Sequence, residues 1–171
     1  LCGLDVLEAV AHTEFGMVLA VFRVAPSTTR EIDWDSVCVF VQDSVRGRVA
    51  IAARLSERMR TYSLQLSQKY PERVVGTDVK IDNETSSMAT VIEVSAPNGM
   101  GLLYQITHAL SSLDLSILSA KVQTLGADVV DSFYVLDNEG KKVSDPAHAE
   151  EVKEALKHAI ETSTVMAKDN K

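Results

Sequence analysis

A short glycine-rich segment joins a predicted strand to a predicted helix in the second half of the chain. The segment and the first helical residue are Pro97, Asn98, Gly99, Met100, Gly101 and Leu102. Glycines let a backbone approach a ligand closely, and the first N–H groups of a helix lack helical partners and attract anions. The segment could therefore hold a carboxylate, such as that of an amino acid. A tight turn without a ligand is the alternative, and two glycines alone do not distinguish the two interpretations.

No other group of residues has the spacing of a known active site. The four histidines lack the spacing of a zinc site, and neither a phosphate-binding loop nor a nucleophile-elbow motif occurs in the sequence. The histidines are His12, His108, His148 and His158. We therefore expect this chain to contain no catalytic residues, no metal site and no cofactor of its own.

The composition of the 171 residues is that of a globular protein, with 46% apolar and 24% charged side chains. The net charge of −7 argues against a nucleic-acid partner, and no apolar run is long enough to cross a membrane. Cys2 and Cys38 form no close pair, which favours two free thiols in a reducing cytoplasm. Because the chain begins with Leu1 and shows no secretory signal, we interpret it as a piece of a longer cytoplasmic protein.

An internal repeat organises the chain. Residues 4–24 align without a gap on residues 115–135, and seven of the 21 positions are identical. Both copies predict two strands joined by a short turn. In both copies the alternation of apolar residues slips by one position, at Leu7 and Leu118, as it does at a β-bulge. The shared irregularity indicates a common architecture.

The second copy is the more complete one. Its predicted elements have the order β-α-β-β-α. They are a strand at 88–96, a helix from Leu102, the two strands of the hairpin, and a helix that begins at Asp145-Pro146. A further short strand is expected at 164–167. The first copy starts at its hairpin, and Asp33 begins a long or broken helix that reaches residue 66. Residues 77–82 are expected to form the last edge strand of the first copy.

Several segments together resemble a known family. Residues 96–104 resemble the strand-to-helix turn of ACT domains, and residues 115–122 and 130–137 resemble the strands that follow that turn. Four further segments resemble the tandem ACT region of bacterial protein-PII uridylyltransferases, namely 78–84, 90–94, 3–9 and 22–24. The resemblance implies an α+β fold of ferredoxin-like βαββαβ repeats, with the first copy truncated at its amino end. It implies a partial first ACT domain with a helical connector at 1–82, and a second ACT domain with a short tail at 83–171.

The resemblance also implies a function. ACT domains of this family bind amino acids and regulate an enzyme on the same chain, which in the uridylyltransferases is a magnesium-dependent enzyme that acts on the PII protein. We therefore expect a regulatory module that binds a small amino acid, glutamine, and passes its state to upstream catalytic domains. The module alone is expected to transfer no nucleotide. An ACT domain that regulates an amino-acid biosynthetic enzyme and a dimerisation module without a ligand remain as alternatives.

The resemblance places the ligand between the two copies. Asn98, Gly99 and Met100 replace the family's Asp-Arg-Pro, and Ser116 replaces an Asn or Asp near the start of the next strand. The first copy has Asp5 at the position equivalent to Ser116. A shared site would bind the ligand carboxylate near Gly101 and its ammonium group at Asp5. The alternative is that Asp5 only terminates a helix and begins a strand, facing water.

The incomplete first copy also predicts self-association. A copy without its first strand and helix leaves a sheet edge unpaired and an apolar face uncovered, and such surfaces drive pairing. The residues expected on this surface are Leu4, Val6, Val18, Leu19 and Phe22. We therefore expect a dimer or a higher homo-oligomer.

Overall fold

The computed structural model describes residues 1–27, 29, 31–66 and 76–166. Ten elements occur in these residues: β1 (Leu4–Glu14), β2 (Met17–Pro26), α1 (Trp34–Val45), α2 (Ile51–Leu66), β3 (Asp78–Asp82), β4 (Thr90–Pro97), α3 (Leu102–Ser112), β5 (Ser116–Leu125), β6 (Asp128–Leu136) and α4 (Pro146–Met166). All six strands form one antiparallel sheet in the order β2-β1-β5-β6-β4-β3. The predicted α+β, ferredoxin-like fold is confirmed.

Both predicted bulges are present. The β1–β2 register shifts between Val6 and Glu8, and the β5–β6 register shifts between Ile117 and Ser119. Each hairpin closes with a two-residue turn, at 15–16 and at 126–127. Residues Phe15 and Gly16 both have positive φ, which suits a tight hairpin turn that follows the twist of its strands.

The core lies on the face of the sheet that α3 and α4 cover. Phe133 of β6 is fully buried and pairs across the ladders with Ile92 of β4 and Ala120 of β5. The helices contribute Leu102, Ile106, Leu110, Val152, Leu156 and Ile160. Each of these large side chains contributes about 1.5–3 kcal/mol by its burial. The core therefore belongs mainly to the second copy and fixes the position of α3.

The strand β3 lies at the sheet edge beside β4, where Val79 is buried opposite Val94. The sequence indicated residues 77–82 as the last strand of the first copy, whereas the strand completes the sheet of the second copy. In this position the apolar side chains of β3 pack into the core beneath α4. The division of the chain after residue 82 stays a prediction.

The helices begin where the sequence predicts. The Asp33 carboxylate accepts the Ser36 N–H at 3.2 Å, and the Asp145 carboxylate accepts the His148 N–H at 3.2 Å. The expected long or broken helix of the first copy is broken into α1 and α2. The strand expected at 164–167 is wrong as far as Met166, because α4 continues through it; Ala167 lies outside the described residues. Extending a formed helix costs little, so the β-branched residues there do not end it.

Candidate functional site

The glycine-rich segment forms the turn between β4 and α3. The Asn98 N–H donates to the Ala127 carbonyl oxygen at 2.8 Å, which holds the turn against the β5–β6 hairpin. Gly101 is the N-cap of α3, with φ +80°, and no side chain caps this helix. The Gln105 N–H donates to the Gly101 carbonyl oxygen at 3.0 Å and closes the first helical turn. The Leu102 N–H already donates to the Gly99 carbonyl oxygen at 3.3 Å, so a carboxylate could accept hydrogen bonds from the N–H groups that follow it in the first turn of α3.

Helix α2 lies against this turn. A Cβ atom on Gly101 would be 2.7 Å from Leu55 Cδ2, so the Leu55 side chain fills the space beside the glycine. Two constraints therefore favour glycine at this position, namely the positive φ and the close side chain. One turn further along α2, Arg58 Nη1 donates to the Leu1 carbonyl oxygen at 2.6 Å. The sequence analysis did not predict that α2 contacts the turn through Leu55, because a helical period says nothing about which element a helix contacts.

The structure brings Asp5 to the same end of the sheet as the turn. Asp5 lies on β1 near the start of the strand, and the ends of β4 and of the β5–β6 hairpin lie at this end too. Two strands, β5 and β6, stand between β1 and β4. With neighbouring strands roughly 4.8 Å apart, β1 is about 14 Å from β4. Because the carboxylate and ammonium groups of an amino acid are attached to the same carbon atom, a shared ligand would have to lie between these strands, with the Asp5 side chain and the first turn of α3 both reaching towards it.

Ser116 lies at the opposite end of the sheet. It begins β5 and pairs with Leu136, whose neighbour Val135 pairs with Thr90 at the start of β4. Ser116 and the turn at 98–102 are therefore not brought together.

A buried carboxyl group, which the sequence analysis did not assign to any site, lies on β6. Asp131 is 1% exposed and stands opposite Val94 on the core side of the sheet. Its carboxylate accepts the Gln123 N–H at 3.2 Å. Burial raises the pKa of Asp131 to about 6, and the hydrogen bond from Gln123 opposes the rise. The group is therefore poised to change charge near neutral pH, inside the second copy.

Three further features of the described residues bear on the kind of site that the chain contains. No group of three or more His, Cys, Asp and Glu there could hold a metal ion. No helix in the described part of the chain is both long and apolar enough to cross a membrane. Cys2 and Cys38 are both free thiols.

Comparison with known proteins gives the class to which this fold and turn belong. A family model described as "ACR9-like, ACT-like domain" matches residues 78–168, which is more than half of the chain. The chain belongs to the ACT-like domain family. The matched range begins at β3, in agreement with the place of that strand in the sheet of the second copy.

Individual relatives extend the similarity to the first copy. The chain is 33% identical over 169 residues to a bifunctional uridylyltransferase/uridylyl-removing enzyme of Rhodospirillum rubrum, covering 98% of this chain and 18% of the relative. The enzyme of the same description from Cereibacter sphaeroides is 30% identical over 172 residues, with the same coverage. That of Azospirillum brasilense is 45% identical over 82 residues, 48% of this chain and 9% of the relative. The chain thus spans less than a fifth of the length of these enzymes. No solved structure matches.

Proposed function

We propose that this chain is an amino-acid-sensing regulatory module of a bifunctional uridylyltransferase/uridylyl-removing enzyme, and that its ligand is glutamine. The observation that carries the proposal is the turn at 99–101. Helix α3 begins there at a glycine of positive φ without a side-chain cap, at the end of the sheet where β1 of the first copy also begins. The relatives that cover nearly the whole chain bear that enzyme name. Catalytic domains elsewhere in the cytoplasmic enzyme would transfer and remove the uridylyl group of the PII protein, with magnesium.

Binding would use opposite charges at two places. The ligand carboxylate accepts hydrogen bonds from the first free N–H groups of α3, helped by the positive end of the helix dipole. Asp5 holds the ammonium group, and the amide of glutamine adds polar contacts along the sheet end. Each charge-assisted hydrogen bond contributes about 1.5–3 kcal/mol.

Calorimetry with a panel of amino acids tests the proposal. Glutamine should bind to the chain, and Gly101→Val should abolish binding, since its side chain meets Leu55 and strains the left-handed backbone. Gly140→Val is the matched control, because Gly140 also has positive φ but its Cβ would have nothing within 4 Å. A preference for a different amino acid would favour a biosynthetic regulator. If no amino acid of the panel binds to the chain, the proposal of amino-acid sensing is contradicted.

Dimerisation is a second candidate function, and a different observation favours it. The strand β2 ends the sheet, and within the described residues its outer edge has no partner. Its large apolar side chains are exposed on both faces: Met17, Val18, Leu19, Val21 and Phe22. We propose that the chain self-associates through this strand, since such an edge favours pairing with another strand. Of the other expected residues, Leu4 and Val6 are only partly exposed.

A further inference from the structure

We infer that helix α2 is the element that couples the turn at 99–101 to the beginning of the chain. The inference rests on the proposed function only in taking this turn as the ligand site. The contacts that carry it join Leu55 to Gly101 and Arg58 to Leu1. Residues 55 and 58 are three apart and therefore lie on one face of the helix.

The contact at the turn holds α2 in place. In the part of α2 whose side chains are described, residues 51–60, Leu55 is the one buried residue. The charged or polar residues on either side of it, Arg54 and Ser56, are exposed. Within residues 51–60, Leu55 is thus the most deeply buried side chain of α2, and it lies against a glycine of the second copy. A carboxylate bound to the first N–H groups of α3 brings the rest of its ligand beside Leu55, so Leu55 must repack when the site fills.

The second contact carries this movement to β1. Three residues of helix advance about 4.5 Å along its axis, so the helix transmits a displacement at Leu55 to Arg58 as a rigid unit. Arg58 donates to the Leu1 carbonyl oxygen at 2.6 Å, and two residues further the Gly3 carbonyl oxygen accepts the Ser27 N–H at 2.9 Å. The ends of β1 and β2 that meet here belong to the first copy. Filling the turn of the second copy therefore shifts the first residues of the first copy.

Hydrogen exchange on the whole chain without ligand tests the coupling directly. Leu55→Ala removes the contact at the turn, and it should raise exchange at the Ser27 amide about threefold or more, although residue 55 is not its hydrogen-bond partner. Arg58→Met keeps the aliphatic stem and removes the donor. It should raise exchange at the Gln105 amide, which donates to Gly101 in the first turn of α3, by a similar factor. Ser56→Ala, an exposed neighbour on α2, is the matched control. Circular dichroism confirms that each variant folds.

The outcome that would overturn the inference is equally specific. If Leu55→Ala alters only amides at 98–105 and leaves Ser27 equal to the Ser56→Ala control, α2 is a local cover and couples nothing.

A second arm uses glutamine as the probe. In the parent chain, glutamine should change exchange at Ser27 at least about twofold, and Arg58→Met should bind glutamine while losing that change. Retention of the Ser27 response in Arg58→Met would contradict the coupling. If glutamine does not bind to the parent chain at all, the proposed function fails, and the experiment without ligand still decides the role of α2.

Discussion

Val10 of β1 and Lys121 of β5 are partners in the sheet and also occupy the same position in the two repeats. The pairs on either side are reciprocal: Ala9 pairs with Val122, and Ala11 pairs with Ala120. In the repeat, Ala9 is equivalent to Ala120 and Ala11 to Val122. A local two-fold axis therefore passes through the Val10–Lys121 pair and relates the β1–β2 hairpin to the β5–β6 hairpin. A residue of one hairpin therefore has an equivalent in the other hairpin but in a different environment, and a substitution at the equivalent position is a matched control.

The first prediction concerns the junction of the two copies. The Thr124 hydroxyl donates to the Val6 carbonyl oxygen at 2.9 Å and supplements the β1–β5 ladder. Thr124→Val should lower the free energy of unfolding by about 1 kcal/mol, measured by urea denaturation. The control is Thr13→Val at the equivalent position of β1, where the described part of the chain shows no such bond. Equal losses in the two variants would contradict a role for this hydroxyl.

The second prediction separates Asp5 from Ser116, which are also equivalent in the repeat. Asp5→Asn should weaken glutamine binding about tenfold or more, since it removes a charge that faces the ammonium group. Ser116→Ala should leave the affinity unchanged, because Ser116 lies at the opposite end of the sheet. Calorimetry measures both. If Asp5→Asn binds glutamine as tightly as the parent chain, the shared site is wrong and any site belongs to the second copy alone.

The third prediction concerns pH. The pKa of Asp131 is raised to about 6, above its ordinary value of 3.8, so the folded chain holds this proton over a range in which the unfolded chain has lost it. Stability from this group is complete below about pH 4 and is lost as the pH rises towards 6, by no more than about 3 kcal/mol. The parent chain should therefore lose stability relative to Asp131→Asn between pH 4 and 7. Thermal melts of both proteins across this range measure the difference, and parallel curves would refute it.

The fourth prediction addresses self-association through β2. Leu19 is 71% exposed on the edge strand, and its repeat equivalent Val130 is 40% exposed on β6 in the interior of the sheet. Leu19→Lys should convert the oligomer to a monomer, because a charge on an edge strand opposes pairing. Val130→Lys should remain associated. Light scattering at tens of micromolar decides, and a monomeric parent chain would show that β2 does not mediate association.

Much of the architecture could be predicted from the sequence because its causes are local. The bulges at Leu7 and Leu118 follow from the alternation of neighbouring residues, and the helix start after Asp145 follows from a carboxylate placed to cap the first turn. The turn at 99–101 follows in the same way from two glycines after a strand. These features depend on residues a few positions apart, so the one-dimensional pattern contains them.

The tertiary structure alone decided which distant segments meet. Nothing near Val79 in the sequence indicates that β3 joins the second copy, and nothing near Leu55 indicates that it packs on Gly101. The raised pKa of Asp131 likewise arises from its burial, on the core side of the sheet opposite Val94 of another strand. Such contacts are selected by the burial of apolar surface over the whole core, which a local pattern of residues does not encode. The sequence therefore determined the elements and their order, and the packed core determined which residues meet at the end of the sheet that contains the candidate site.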